Sequence, residues 1–328
     1  MTRPKLLVAS ALIMTLAFST AAHAAWVWEP GTGRLVNPKR LPKETPELQV
    51  EYARSLMVQG KYKEAIDETN KFKDFYGDSE FADENQFLRG EIRMAQEKYL
   101  DAAKEFQQVV AVYPSTNLFD QVIAKQYEIA DLFYDTGVQN QSKSFWHIFK
   151  KRPFRRAIEV YTMVIDNQPF TDSAAEAQYK LGLCHHTLEE YVEAAFEYRR
   201  VIEDYGMSEW VDDASYGLCK CYYDGSLPAL YDQTPSQLAV AAIDDFNSRF
   251  PNDSRVGELT AMRQEMYERV AEQRLLTAKF YEKRRKFESA AIYYEVVVDQ
   301  FPGTVAAQEA SAWLSEHGHS SRYEESNA

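Results

Sequence analysis

The sequence predicts an all-α fold, an α-α superhelix of about six helical hairpins stacked side by side. Three observations predict it. First, an alanine followed four residues later by a large side chain, and eight further on by proline, recurs. It occurs as Ala102/Phe106/Pro114, Ala157/Tyr161/Pro169 and Ala290/Tyr294/Pro302, with weaker copies at Ala194/Tyr198/Gly206, Ala239/Ile243/Pro251 and Ala65/Thr69/Gly77. Second, a small residue stands twelve positions ahead of four of these alanines, at Ala53, Gly90, Gly182 and Ala278. Third, apolar residues between the markers recur at three and four, the period of a helix face. Such self-similarity marks a repeat architecture, in which each hairpin buries its apolar face only against the next.

Composition agrees. A chain of 328 residues with 45% hydrophobic residues can build a substantial core, and 13 glycines with 12 prolines are too few for long unstructured tracts. The formal net charge of −13 argues against nucleic acid as a partner, because phosphate binding needs a basic surface.

The elements follow in order. Arg3 and Lys5, the apolar run Leu6–Phe18 and the small residues Ala22 and Ala24 read as a secretory signal peptide over residues 1–24, cut after Ala24. The apolar run is too short to span a bilayer. The mature protein is therefore expected to be exported. Residues 25–45 carry Trp26, Trp28, Pro30, Gly31, Gly33, Pro38 and Pro42, which forbid a regular helix, so an extended arm is expected. Thr45-Pro46 is a helix start: threonine accepts free N–H groups and proline tolerates the first turn. Residues 46–118 are two repeats. In the second, Phe87, Leu88, Ile92 and Met94 lie on one helix, and Tyr99, Ala102, Ala103, Phe106, Val109 and Val110 on the next.

The alanine anchors are spaced by 37, 55, 37, 45 and 51 residues, so a unit of about 37 carries three insertions. The first, Thr136–Pro153, is expected between the two helices of the third copy. The second, Tyr223–Asp232, widens the turn of the fifth. The third lengthens a proline-free helix from about 255 to 284. Ser173-Ala-Ala-Glu176 and Thr234-Pro235-Ser236-Gln237 read as capping boxes. The polar tail 317–328 is expected to fray.

The alanine, aromatic and proline positions resemble the tetratricopeptide repeat. Tyr231–Ser254 (YDQTPSQLAVAAIDDFNSRFPNDS) and Arg269–Thr304 further resemble the BamD family of outer-membrane assembly proteins, over roughly residues 120–315. The resemblance implies a non-catalytic adaptor in the periplasm, at the periplasmic face of an outer membrane. Its implied partners are the periplasmic domains of the barrel insertase and unfolded outer-membrane proteins. The family is normally lipid-anchored through a cysteine after the signal; here Ala25 stands there. Peripheral membrane association would then run through partners, the Trp26/Trp28 arm or the first insertion. A periplasmic scaffold for cell-envelope or division machinery is the alternative.

No nucleophile motif, glycine-rich phosphate loop or zinc-protease signature is present, so neither an enzyme nor a cofactor is expected. Cys184, Cys219 and Cys221 are an odd set, which excludes a disulfide scaffold; ordinary packing, a Cys184–Cys219 bridge and a metal site with His185 or His186 stay open. The acidic pairs Glu189-Glu190, Asp212-Asp213 and Asp244-Asp245 read as a solvated face, since neighbours on a helix diverge. Partner-binding candidates one turn or two apart on first helices are Phe87 and Met94, Tyr127 and Tyr134, and Tyr179 and His186. The first insertion interleaves Lys150, Lys151 and Arg152 with Phe145, Trp146 and Phe154. Either its aromatics pack on the adjacent hairpin and leave the cations in water, or the cluster contacts an anionic lipid surface or an acidic partner. Trp26 and Trp28 join that second set.

Overall fold

The computed structural model describes residues 27–29, 34–36, 41–141 and 147–318. The signal segment and the tail beyond Gly318 lie outside them. Among the described residues there are thirteen helices and one two-stranded sheet. The helices pair as six hairpins: α1 (Pro46–Val58) with α2 (Tyr62–Tyr76), α3 (Ala82–Ala95) with α4 (Tyr99–Val112), α5 (Phe119–Gln141) with α6 (His147–Asn167), α7 (Asp172–Thr187) with α8 (Tyr191–Asp204), α9 (Val211–Asp224) with α10 (Thr234–Arg249), and α11 (Val256–Lys283) with α12 (Phe287–Gln300). A thirteenth helix, α13 (Val305–Glu316), packs against α11 and α12. The expected all-α class of tetratricopeptide-like hairpins is what forms, and every alanine anchor lies in the second helix of its hairpin.

The chain divides into two compact units, residues 1–85 and 86–328. In the first unit, Val27–Glu29 (β1) pairs antiparallel with Arg34–Val36 (β2), Trp28 opposite Leu35. Over these residues the arm is two extended, paired strands. Its sequence signal is a pair of short apolar runs around Pro30-Gly31-Thr32-Gly33, all turn formers. Thr45 caps α1 by accepting from the Leu48 N–H at 3.2 Å. Gln49 of α1 donates to the Glu68 carbonyl and carboxylate of α2 at 3.0 and 2.8 Å.

In the second unit the repeat explains itself physically. The large residue four after the anchor lies against the small residue of the partner helix. A Cβ on Gly90 would sit 2.4 Å from the Phe106 ring, and one on Gly182 would sit 2.6 Å from Tyr198. Tyr198 is pressed from its other side by Gly217 of the next hairpin. Phe106, Tyr161, Tyr198, Phe246 and Tyr294 are all but fully buried, each burial contributing about 2–3 kcal/mol. Three hairpins turn through a non-glycine left-handed residue, Glu97 (φ 59°), Glu189 (φ 64°) and Arg285 (φ 58°). Gly60 holds the same place, five residues before the anchor, in the first unit.

The insertions differ from expectation in one respect. Residues of the first are absorbed by longer helices: α5 runs to Gln141 and α6 starts at His147, passing through Pro153 at the loss of one ladder bond. The second remains a turn, Gly225–Gln233, and the third is the 28-residue α11. The capping boxes also shift. Thr171, not Ser173, caps α7, and Glu176 pairs with Lys180 at 2.8 Å instead. Thr234 lies inside α10, and its N–H is accepted by Asp232 at 3.1 Å.

Candidate protein-binding surface

First helices supply the expected aromatics, and the structure shows what each touches. Tyr127 of α5 meets Tyr161 edge-on at 5.9 Å, with the Lys180 ammonium 4.9 Å from its ring centre. Burial pushes its hydroxyl far above the usual tyrosine range, with Glu176 and Asp131 adding to the shift. Tyr161 donates to Asp131 at 2.5 Å, and Lys180 bridges Asp131 and Glu176, both at 2.8 Å. Tyr134 packs edge-on against Phe154 at 5.9 Å. Tyr179 stacks on Trp210 at 5.2 Å, and burial raises its hydroxyl to about 12. His186 contacts Asp224 of the next hairpin at 3.0 Å and Tyr191 at 5.5 Å. All four are half-buried, so they weld neighbouring helices while showing one edge to solvent.

Grooves open between the helices. One of about 500 Å³, between α5 and α7, is lined by Asp120, Ile123, Tyr127, Glu128 and Glu176 and holds no basic residue in its lining. A second, about 400 Å³, runs between α11 and α13 past Glu265, Glu268, Glu272 and Glu309, with Arg269 and Lys279 among them. A third, also about 400 Å³, is apolar. It runs over α8, α9 and α10 and is lined by Val192, Ala195, Phe196, Tyr222, Pro235 and Leu238. Val192, Phe196 and Leu238 are 80%, 55% and 42% exposed, which is unusual for side chains of this kind gathered in one place. The Gly225–Gln233 turn edges this groove and holds Leu227, Leu230 and Tyr231 in solvent.

Other candidates are placed differently from expectation. Phe87 is a core residue, 5.0 Å from Phe106, and Phe154 is 1% exposed against Gly137 and Tyr134. Both are buried, so they serve the core and not an exposed partner surface. Met94 is half-buried against the same core. Trp28 is 59% exposed. Lys151 reaches the Glu189 carboxylate at 3.5 Å and the Leu188 carbonyl at 3.4 Å, while Arg155 pairs with Glu190 at 2.5 Å. Arg156 lies over the Phe133 ring at 5.5 Å. Lys151 and Arg155 therefore clamp the next hairpin instead of standing free in water, and Phe154 packs on α5 of its own hairpin. Arg152 is exposed. Trp26, Phe145, Trp146 and the Lys150 side chain lie outside the described residues.

The acidic pairs are not a bare solvated face. Glu189 and Glu190 take the cations just named. Arg255 bridges Asp253 at 2.7 Å, Asp213 at 2.5 Å and Asp212 at 3.3 Å, tying α9 to the start of α11. Arg263 pairs with Asp244, and Arg249 with Asp245. The three cysteines are free and buried in three separate clusters, Cys184 with α5–α7, Cys221 with α8–α9 and Cys219 with α10–α11. Burial raises all three thiols, Cys219 to about 12, so they are inert packing residues at neutral pH. Among the described residues no group of histidine, cysteine and carboxylate side chains could hold a metal.

Sequence reasoning missed the apolar groove. Its parts, Val192, Phe196 and Leu238, sit at ordinary helix positions, and only the Tyr222 and Pro235 neighbours reveal that nothing covers them. It also missed a polar layer of the repeat: Gln49, Gln86 and Gln178, each sixteen before an anchor, bond Glu68, Glu105 and Glu197, each three after it. That spacing was open to reading.

The family model described as YfiO, outer membrane lipoprotein, matches residues 143–326. The chain belongs to this family. Among curated proteins it is similar to the outer membrane protein assembly factor BamD of Caulobacter vibrioides, 21% identical over 180 residues, covering 55% of this chain and 56% of that protein. It thus spans about half the length of that relative. Solved structures it resembles include a tetratricopeptide repeat protein of Parabacteroides merdae (15% identity, 81% of this chain, 96% of that chain, TM-score 0.31). Another is a thermophilic repeat protein of Thermus thermophilus (13% identity, 68% of this chain, 98% of that chain, TM-score 0.32). The family match spans α6 to α13, and so takes in the Gly225–Gln233 turn, the apolar groove and the long α11. Among the described residues no helix is long and apolar enough to cross a membrane.

Proposed function

We propose that the protein is a non-catalytic periplasmic adaptor that assists assembly and insertion of outer-membrane β-barrel proteins. The family match over residues 143–326 is the observation that carries this reading. Its partners on this reading are the periplasmic domains of a barrel insertase and unfolded barrel segments. Grooves of the kind found here suit such partners. The apolar one over α8–α10 offers Phe196 and Val192 as exposed anchors, and the α5–α7 groove offers carboxylates beside the Tyr127 ring. Aromatic and apolar anchors in a desolvated pocket supply most of the energy in a typical protein interface.

The test is binding of the full chain to purified insertase periplasmic domains, with Phe196→Asp as the probe of the apolar groove. The expected result is binding that falls at least tenfold in the variant, with an unchanged circular dichroism spectrum. No binding, with a division or peptidoglycan-synthesis protein captured from the envelope instead, would move the reading to a scaffold for that machinery.

A further inference from the structure

We propose that the α11–α12 turn is a docking patch for an anionic membrane surface. Four consecutive cations, Lys283, Arg284, Arg285 and Lys286, form this turn, and all four are exposed. Among the described residues none of them forms an ion pair. This separates them from the basic run after Gln141, whose Lys151 and Arg155 are held by Glu189 and Glu190. Two phenyl rings flank the turn, Phe280 at 49% and Phe287 at 47% exposure. The Arg284 guanidinium lies 4.2 Å from the centre of the Phe280 ring, an arrangement that presents a cation and a ring together.

The fold concentrates this charge. Arg285 adopts φ 58°, so the chain reverses within a few residues and all four side chains leave one hairpin tip. Gly60 occupies the equivalent place in α1–α2, where the turn reads Gln59-Gly60-Lys61 and carries a single cation. Glu282 does not cancel the charge at the tip, because it accepts the Tyr294 hydroxyl at 2.6 Å toward the hairpin interior. Glu288, in the first turn of α12, is the one carboxylate that shares the shallow recess formed by Arg285, Lys286, Phe287 and Ser289.

A lipid surface is the occupant this chemistry favours. The chain carries a net charge of −13, so an anionic plane repels the rest of the body and attracts this tip, which also sets its orientation. Exposed phenyl rings beside cations suit the boundary between headgroups and hydrocarbon. An acidic peptide would need a groove lined mainly by cations, and the grooves described above are lined mainly by carboxylates or apolar side chains.

The experiment is co-sedimentation of the full chain with vesicles of phosphatidylglycerol mixed into phosphatidylcholine, and with phosphatidylcholine alone. Binding is expected only to the anionic vesicles and should weaken as salt is raised. Each charge removed should weaken it by roughly fivefold, and the combined change Lys283→Gln, Arg284→Gln, Arg285→Gln and Lys286→Gln by a few hundredfold. Lys151→Gln with Arg155→Gln is the control, both cations being held by Glu189 and Glu190, and should bind as the wild type. A thermal melt of each variant confirms folding. Equal binding to neutral vesicles, or wild-type binding by the fourfold variant, overturns the proposal. So does capture of a polyglutamate peptide by the tip without any vesicle binding, which would assign it to an acidic protein instead.

Discussion

Gly182 shows how a single atom is specified. Tyr198 lies between Gly182 and Gly217, and a Cβ on either would come within 2.6 Å of its ring. The ring is 1% exposed and has nowhere to move. Gly182→Ala should therefore destabilise the protein by about 1–3 kcal/mol, read as a lower urea midpoint. The small residue was legible twelve positions before the anchor. The second glycine was not, because it comes from the following hairpin and obeys no spacing within its own. Glu197 is the other informative residue. It receives the Gln178 amide, and burial raises its pKa from 4.5 despite the opposing pull of Arg200, the Gln178 bond and His185. A carboxyl raised in the folded state favours folding below its unfolded pKa, and that contribution is lost as pH rises through the folded value. Glu197→Gln should thus gain stability relative to wild type at neutral pH. The gain should shrink as pH falls through the folded value toward 4.5 and be gone below it, measured by denaturation at several pH values.

Elements depend on residues that hold their ends. The Gly225–Gln233 turn is built around one amide. Gln233, 5% exposed, donates through Nε2 to the carbonyls of Leu227, Pro228 and Tyr231 at 3.2, 2.9 and 3.1 Å, and its Oε1 accepts from Ser236 at 2.9 Å. The Asp232-Gln233-Thr234 stretch, read from sequence as part of a resemblance, is physically the knot of this turn. Gln233→Leu removes the amide from the Leu227 and Tyr231 carbonyls and from the Ser236 hydroxyl, while Pro228 keeps the Tyr231 N–H, and should cost about 1–3 kcal/mol. Limited proteolysis should then cut within residues 226–232 faster than in wild type. The first insertion was legible as extra length but not as helix, because Pro153 and the mixed basic and aromatic pattern both argue for a loop. Helix continuation won because Phe154 has a cavity to fill at Gly137, a tertiary reward that local propensity does not contain.

At the scale of the molecule, residues 86–328 behave as a stack in which each hairpin touches its neighbours. The interior divides accordingly into separate clusters, one around α4–α7 and another around α11–α13. Stability in such an array is a sum of units and nearest-neighbour interfaces. Ala290→Leu, at a fully buried anchor, should raise amide exchange across α11–α13 while leaving α5 and α6 at wild-type rates. Uniform acceleration would refute that independence. The sequence by itself determined the all-α class, six hairpins, their anchors and the long α11, because a repeated local pattern is written into every unit and needs no distant information. Only the tertiary structure decided which charges are free. Both basic clusters look alike in one dimension. One meets Glu189 and Glu190 across a helix interface, and the other, at Lys283–Lys286, meets none among the described residues, because pairing depends on which hairpin face lies opposite. The same reason hid the apolar groove: exposure is a property of what fails to cover a side chain, and no spacing along the chain records it.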